Sequence, residues 1–422
     1  MSIDIVPRLL TRVASQPKPP LSTATGTARM LHTPSLRPQG QVISALGVVM
    51  IFTWGSSYYL MTVLAAPVAA DTGWSLNAIT GALSAGLLTA ALVSPLVGRM
   101  IARWGGRPVL AAGIVALASG LALLAAAPAL WVFWLGWLCL GLGMAATLYD
   151  PAFATLGRIY GTQARGAITV LTLWGGFAST VCWPLSALML EAWGWRGVAL
   201  AYAGLHLCLT LPLVWYVLPR ERATPPPACT GAAGTQQARL SPQERRQIAF
   251  MAALLVVNGL IVVNISIWLF TLLQAQGISL GQAVALGALI GPAQVGARLI
   301  EMAGRERHHP IWTMIGSTGA IALGLGLMAL GLPLPALALI LYGGGNGLFS
   351  IARGSLPLAL FGPARYPVLM GQLARPALMA QAVAPMAGAV AISTLGEAAT
   401  VQILAGLGLA NLALIWGLWH SR

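Results

Sequence analysis

Charge is scarce in this chain. Nine residues are acidic and 23 basic among 422, so ionisable side chains make up 8% of it, against roughly 25% in a soluble globular protein. Lysine is almost missing: Lys18 stands alone, and every other basic residue is arginine, a bias that fits a GC-rich genome better than a chemical role. The four cysteines, Cys139, Cys182, Cys208 and Cys229, have no paired spacing, which excludes a disulfide framework and a cysteine-based zinc site. The glycine run Gly343-Gly344-Gly345-Asn346-Gly347 is not followed by Gly-Lys-Ser/Thr, so it is no phosphate-binding loop. His308 and His309 are adjacent and cannot face one metal from one helix side. With no metal site, no catalytic triad and no nucleotide site, the sequence implies neither an enzyme nor a cofactor.

What the chain has in excess is apolar length. Hydrophobic residues are 58% of it and the mean hydropathy is +0.81. Twelve apolar stretches succeed one another, at 42–64, 77–97, 109–127, 130–149, 167–190, 198–218, 248–273, 280–300, 311–330, 336–351, 368–392 and 398–418. Roughly 20 residues cross a bilayer as a helix, so an all-α integral membrane protein of twelve transmembrane helices is expected. The net charge of +14 would point to nucleic acid in a soluble protein. Here the arginines are spread among short loops, which excludes that partner and leaves the lipid bilayer as the surroundings.

The gaps alternate in charge. One set holds Arg99, Arg103 and Arg107, then Arg158 and Arg165, then Arg220 to Arg246, then Arg305 and Arg307, then Arg353 and Arg365; the other holds Asp71, Glu191 with Arg196, and Glu397. Positive loops stay cytoplasmic, which places both termini inside and makes the number of spans even. The expected organisation is a polar cytoplasmic tail at 1–40, a six-helix bundle at 41–218, a cytoplasmic linker at 219–246 and a second six-helix bundle at 247–419. The tail has no apolar core before a cleavage site and so is not a secretory leader; an organelle transit peptide is the second reading of its Arg/Ser/Thr-rich composition. Within the linker, Ser241-Pro242-Gln243-Glu244 has the residues of a helix start. The halves echo each other: Gly73-Trp74-Ser75-Leu76 precedes span 2 and Gly277-Ile278-Ser279-Leu280 precedes span 8. Paired six-helix halves are the layout of transporters built from repeats.

After span 2 comes Gly98-Arg99-Met100-Ile101-Ala102-Arg103-Trp104-Gly105-Gly106-Arg107-Pro108. This resembles the cytoplasmic loop signature of the major facilitator superfamily, with Gly98, Arg103, Gly105 and Arg107 matching. The signature's aspartate is replaced by Ala102. Trp54-Gly55 with Tyr58-Tyr59, Tyr149-Asp150-Pro151 through Arg165 and Gly175-Gly176, and Gly194-Trp195-Arg196-Gly197 are similar to the monocarboxylate and oxalate–formate branch of that superfamily. The resemblance implies the major facilitator fold, two pseudo-symmetric bundles, and secondary transport.

It also implies site residues. In that branch an arginine on the eighth helix meets the substrate carboxylate, and Arg298 has that place. The acid often found one turn earlier is Gln294 here, which weakens a proton-coupled mechanism. Alternatively, Arg298 reaches the inner surface and is neutralised by Glu301 at i+3. The oxalate–formate members carry a basic residue on the eleventh helix, matched by Arg375; together with Arg298 it would clamp a dicarboxylate. If that helix starts at Pro376, Arg375 is only a loop charge. Asp150 and Glu301 are the candidates for proton coupling, although an ion pair at the inner surface, with Arg158, Arg99 or Arg103 near, is the first reading of Asp150. Trp54, Tyr58, Tyr59 and Trp174 would line a cavity or anchor at the interface. Asn258, Asn264, Asn346 and Gln381 would mark the pathway or bond helices together, and His206 is read as a packed core histidine. The expectation is a monomeric secondary transporter, symport or antiport, in a bacterial cytoplasmic (inner) membrane. It moves a small organic anion, mono- or dicarboxylate-like, with a coupled proton or counter-anion. The alternative is a proton-driven drug or metabolite exporter.

Overall fold

A backbone in hydrocarbon must satisfy its own N–H and C=O groups, so a chain this apolar folds as helices. The computed structural model describes residues 39–221, 240–304 and 307–420, and no strand occurs among them. The expected tail at 1–40, except its last two residues, and the linker between 222 and 239, with Cys229, lie outside the described residues. The helices are α1 Gln39–Gly55, α2 Leu60–Thr72, α3 Leu76–Trp104, α4 Gly106–Ala126, α5 Leu130–Thr147, α6 Tyr149–Tyr160, α7 Ala164–Gly176, α8 Ala178–Leu205 and α9 Leu211–Val217. After the linker come α10 Pro242–Gln274, α11 Leu280–Gly287, α12 Ile290–Ala303, α13 Pro310–Ala329, α14 Pro335–Leu395 and α15 Glu397–His420.

Nine helical runs among the described residues are long and apolar enough to cross a membrane. Two of them, Leu130–Val217 with 88 residues and Pro335–Leu395 with 61, far exceed one crossing. They reverse where a glycine takes a left-handed conformation that a side chain resists: Gly161 (φ 58°), Gly194 (φ 66°) and Gly362 (φ 72°). Divided at these turns, the described helices form twelve segments. The turns also repeat. Gly73 and Gly277, Gly161 and Gly362, and Gly194 and Gly396 all have positive φ, at offsets of 204, 201 and 202 residues (277 − 73, 362 − 161, 396 − 194). The same repeat carries its caps: Ser75 accepts from the Ala78 amide and Ser279 from the Gln282 amide. Ser241 and Glu244 form the reciprocal capping box that opens α10, with Pro242 in the first turn, so that helix begins inside the expected linker.

The described residues form one compact unit. Its largest apolar core draws on α1 to α9 and takes in Leu358, Tyr366, Met370 and Ala382 of α14. Two smaller cores lie wholly within the second half, one with Ile261, Leu339 and Leu404, the other with Met251, Phe349 and Leu373. The main junction between halves is α3 against α14. There a Cβ on Gly98 would lie 2.6 Å from the Pro367 carbonyl and 3.1 Å from the Gly371 Cα, so only glycine permits the approach. The run 343–347 plays the same part within the second half: Cβ atoms on Gly343 and Gly345 would crowd Ile290 and Ile321. It is a packing seam, not a ligand loop.

The loop after α3, where the resemblance expects an acid, is fastened from elsewhere. Arg158 donates to the carbonyls of Ile101 and Ala102 and pairs with Glu221, whose other oxygen accepts from the Gly106 amide at 3.2 Å. Burial pushes the Glu221 carboxyl above its ordinary range, against the opposing pull of the Gly106 amide and Arg158. Arg103 and Arg107 lie over the rings of Trp104 and Trp215. This defines the arginine-bearing end of the bundle.

Overpacking a tight contact costs ~1–3 kcal/mol. Gly98→Val should therefore lower the thermal midpoint of the detergent-solubilised protein by several degrees, whereas Gly406→Ala, where nothing lies within 4 Å of an added Cβ, should leave it unchanged. Equal midpoints for the two variants would contradict the close α3–α14 contact.

Candidate functional site

Four helix interruptions border one cavity. α1 stops at Gly55 and α2 starts at Leu60; α5 and α6 are separated by Leu148, α7 and α8 by Phe177, and α11 and α12 by Ala288 and Leu289. Tyr58, Tyr59, Leu148, Phe177 and Ala288 all line the cavity, whose volume is about 880 Å³. Irregular backbone at membrane depth is tolerated where it is buried in protein or lines a wet space, and interrupted helices are where transporters place their binding groups.

Arg298 is the buried cation of this cavity. It lines the wall yet is only 4% exposed. Its Nε donates to Ser350 Oγ at 3.1 Å and Gly347 O at 3.4 Å, and its Nη1 donates to Thr172 O at 2.9 Å. All three acceptors are neutral, and the ion pairs among the described residues do not include it. Thr172 O also receives the Tyr149 hydroxyl at 3.4 Å. The local sequence makes room for this cluster: a Cβ on Gly175 would meet the Tyr149 ring, and one on Gly176 would meet Arg298 Nη1. The bond to Thr172 ties α12 of the second half to α7 of the first.

Further ties close the arginine-bearing end. Asp150 of α6 pairs with Arg353 of α14 at 2.5 Å. Arg165 of α7 pairs with Glu301 of α12 at 3.3 Å and donates to the His308 carbonyl. Glu301 also accepts from Thr313 at 2.8 Å and lies 3.3 Å from His308. Tyr366 of α14 is fully buried, with its ring on Gly157 and its hydroxyl donating to Gly354 O at 2.6 Å. Towards the other end the wall residues Phe177, Trp183, Phe270 and Val284 are 42–49% exposed, so the cavity opens there.

Trp54, Tyr58, Tyr59, Gln294, Asn346, Asp150 and Arg298 meet at the cavity, as do Asn258 and Gln381. Other expectations are corrected. Arg375 is exposed and outside the lining: after Gly362 the helix runs unbroken through it, and Ala374, one step of ~100° away, is the residue that faces the cavity. No arginine clamp therefore forms with Arg298. Asn264 does not line the cavity; its amide donates to Leu260 O on its own helix. Trp174 packs on Gly47 instead. Glu301 neutralises Arg165, not Arg298, and Asp150 finds Arg353, not Arg158, Arg99 or Arg103. His206 is buried between Ser56 Oγ at 2.6 Å and Thr210 Oγ1 at 2.9 Å, in a π-helical stretch of five residues. Arg353, Tyr149 and Gly176 were not singled out by the sequence as members of the site, because their partners are distant in the chain.

With this geometry in view, the chain can be set beside known proteins. Residues 46–374 match the Major Facilitator Superfamily, and the protein belongs to that superfamily of membrane transporters. It is 33% identical over 173 residues to human monocarboxylate transporter 11, covering 39% of this chain and 34% of that protein. It is 30% identical over 121 residues to the multidrug resistance protein MdtH of Klebsiella pneumoniae, covering 28% of this chain and 30% of that one. These alignments span about a third of the length of the curated relatives. Among solved structures, the human organic anion transporter MFSD10 superposes with a TM-score of 0.73 at 16% identity, over 90% of this chain and 99% of that one. The transporter FucP in the outward conformation gives 0.71 at 12%, over 89% and 98%. The likeness to both is one of fold.

Removing one partner of a buried ion pair costs ~3–5 kcal/mol because the other is stranded. Asp150→Asn and Arg353→Gln should each lower the thermal midpoint in detergent, and the double variant should lose clearly less than the two losses together. Additive losses would mean that the pair does not form.

Proposed function

We propose that the protein is a secondary transporter that carries an organic anion through the central cavity by alternating access, with Arg298 binding the negative charge. One observation carries this reading: a guanidinium 4% exposed lines a membrane-protein cavity with only neutral oxygens as partners. Burying an unpaired charge is costly, and an anion in the cavity would offset that cost. Arginine suits the task because its fork meets both oxygens of a carboxylate.

The twelve helical segments are read as twelve crossings, with the arginine-bearing loops and both termini in the cytoplasm. The setting is a bacterial inner membrane and the working unit a monomer. On this orientation the closed end is cytoplasmic and the cavity faces out, the state named for FucP. Residues 41–218 and 247–419 are the moving bodies. The Arg298–Thr172 bond is one of the ties that hold them in this state, and an anion that draws Nη1 away from Thr172 would loosen it. Asp150–Arg353 and Arg165–Glu301 would then part as the cytoplasmic end opens. A gradient or an exchanged anion drives the cycle.

The second reading is a proton-driven exporter of drugs or metabolites. The local similarity to MdtH favours it, with Asp150 or Glu301 releasing its arginine on protonation.

In proteoliposomes tested with a panel of carboxylates, Arg298→Gln should abolish uptake of every acid that the wild type carries. Gly176→Ala should reproduce most of that loss by displacing the guanidinium, and Arg375→Gln should leave uptake intact. Normal uptake by Arg298→Gln would remove that residue from the site. For the orientation, a cysteine at Val284 in a cysteine-free background should react with an impermeant maleimide added to intact cells, and one at Thr162, exposed at the arginine-bearing end, should not. The reverse pattern would invert the topology.

A further inference from the structure

The cavity's charge count and wall chemistry narrow the anion further. Resting on the reading of Arg298 as the anion site, we infer that the substrate is a singly charged organic anion bearing an aromatic ring. Among the described residues, the lining contains three with formal charge, Asp150, Arg298 and Arg353. Asp150 and Arg353 neutralise each other at 2.5 Å, which leaves one positive charge. A dianion would bring a second negative charge into the cavity with no second cation to meet it, since Arg375 faces away. Ionised groups enter such surroundings only when paired. The charge count therefore favours one carboxylate over two.

The wall beside that charge is aromatic and continuous. Tyr149 shares the Thr172 carbonyl with Arg298. From Tyr149 the surface passes to Trp54, with centroids 5.2 Å apart, then to Tyr59 at 5.8 Å and on to Trp183 at 5.9 Å. Trp183 is 43% exposed at the open end. The aromatic surface thus runs from the anion point to the mouth. Ring pairs at such separations favour one another beyond simple burial, so a flat ring attached to the carboxylate would find partners along this path. A two- to four-carbon acid would touch Arg298 and leave the wall wet. The volume, about 880 Å³, also lies within the ~300–1,000 Å³ of sites that enclose drug-sized ligands.

The test uses the full-length protein in liposomes, with four probes: phenylpyruvate, pyruvate, succinate and isophthalate. Competition and direct uptake should rank phenylpyruvate at least about tenfold above pyruvate, with both dianions weaker still. Trp54→Leu and Tyr59→Leu should each cut the preference for phenylpyruvate over pyruvate, read as a ratio within each variant, by roughly two- to tenfold. Tyr59→Phe, which keeps the ring, should retain the preference, and a wild-type-like thermal midpoint in detergent shows that the leucine variants are folded. If pyruvate, succinate or isophthalate equals or exceeds phenylpyruvate and still depends on Arg298, the aromatic monoanion is wrong and the anion site stands. If no probe distinguishes the wild type from Arg298→Gln, both readings fall.

Discussion

A guanidinium cannot rest inside a membrane protein without oxygen around it. The surroundings of Arg298 follow from that constraint. Gly347 supplies a carbonyl because α14 lies close against α12, and the glycine run 343–347 allows that approach. Thr172 supplies another because Gly175 and Gly176 leave space for Tyr149 and for the guanidinium itself. Ser350 completes the set and donates its hydroxyl to Gly347 O at 2.7 Å. Partial charges on these oxygens stabilise the cation and do not cancel it. The site is held in shape while its charge remains available.

The acids are used differently. Asp150, Glu221, Glu244 and Glu301 each pair with an arginine at the arginine-bearing end, and Asp71 pairs with Arg196 at the other. The last of these is 51% and 43% exposed and so contributes at most about 1 kcal/mol. The pairs that cross between halves, Asp150–Arg353 and Arg165–Glu301, are 11–17% exposed. Buried pairs add little net stability relative to apolar packing but discriminate strongly between arrangements. They specify one relative placement of the halves. Proton coupling through Asp150 or Glu301 would therefore act on the same bonds that define the state, which joins the two functional readings more closely than their substrates do.

Much of the architecture could be read before any coordinates. Apolar runs and arginine-bearing gaps are set by the bilayer, residue by residue, and Ser75, Ser279 and Ser241 are local capping signals that need no knowledge of tertiary contacts. The site was only partly visible. Arg298 stood out because an ionised group inside an apolar stretch is rare. Arg375 stood out for the same reason and faces outward, because helical phase depends on where the helix begins, and that was set by Gly362 thirteen residues upstream. Asp150 was assigned to nearby arginines, yet its partner lies 203 positions away. The aspartate of the family's loop signature is replaced by Ala102; Glu221, brought over by the end of α9, fastens that loop in a way the signature does not describe.

The acceptor that joins the halves through Arg298 is a main-chain oxygen. The Thr172 side chain is turned back on its own helix, donating to Thr169 O at 2.7 Å. A scan that replaces residues one at a time would alter that hydroxyl and leave the carbonyl in place, so it would rate position 172 as tolerant. Chemistry reaches the atom only by exchanging the peptide link for an ester at the following residue or by bending the helix. This contact between the halves is thus nearly invisible to substitution at position 172, and its strength can drift during evolution only through the arginine, the glycines that make room for it or the curvature of α7.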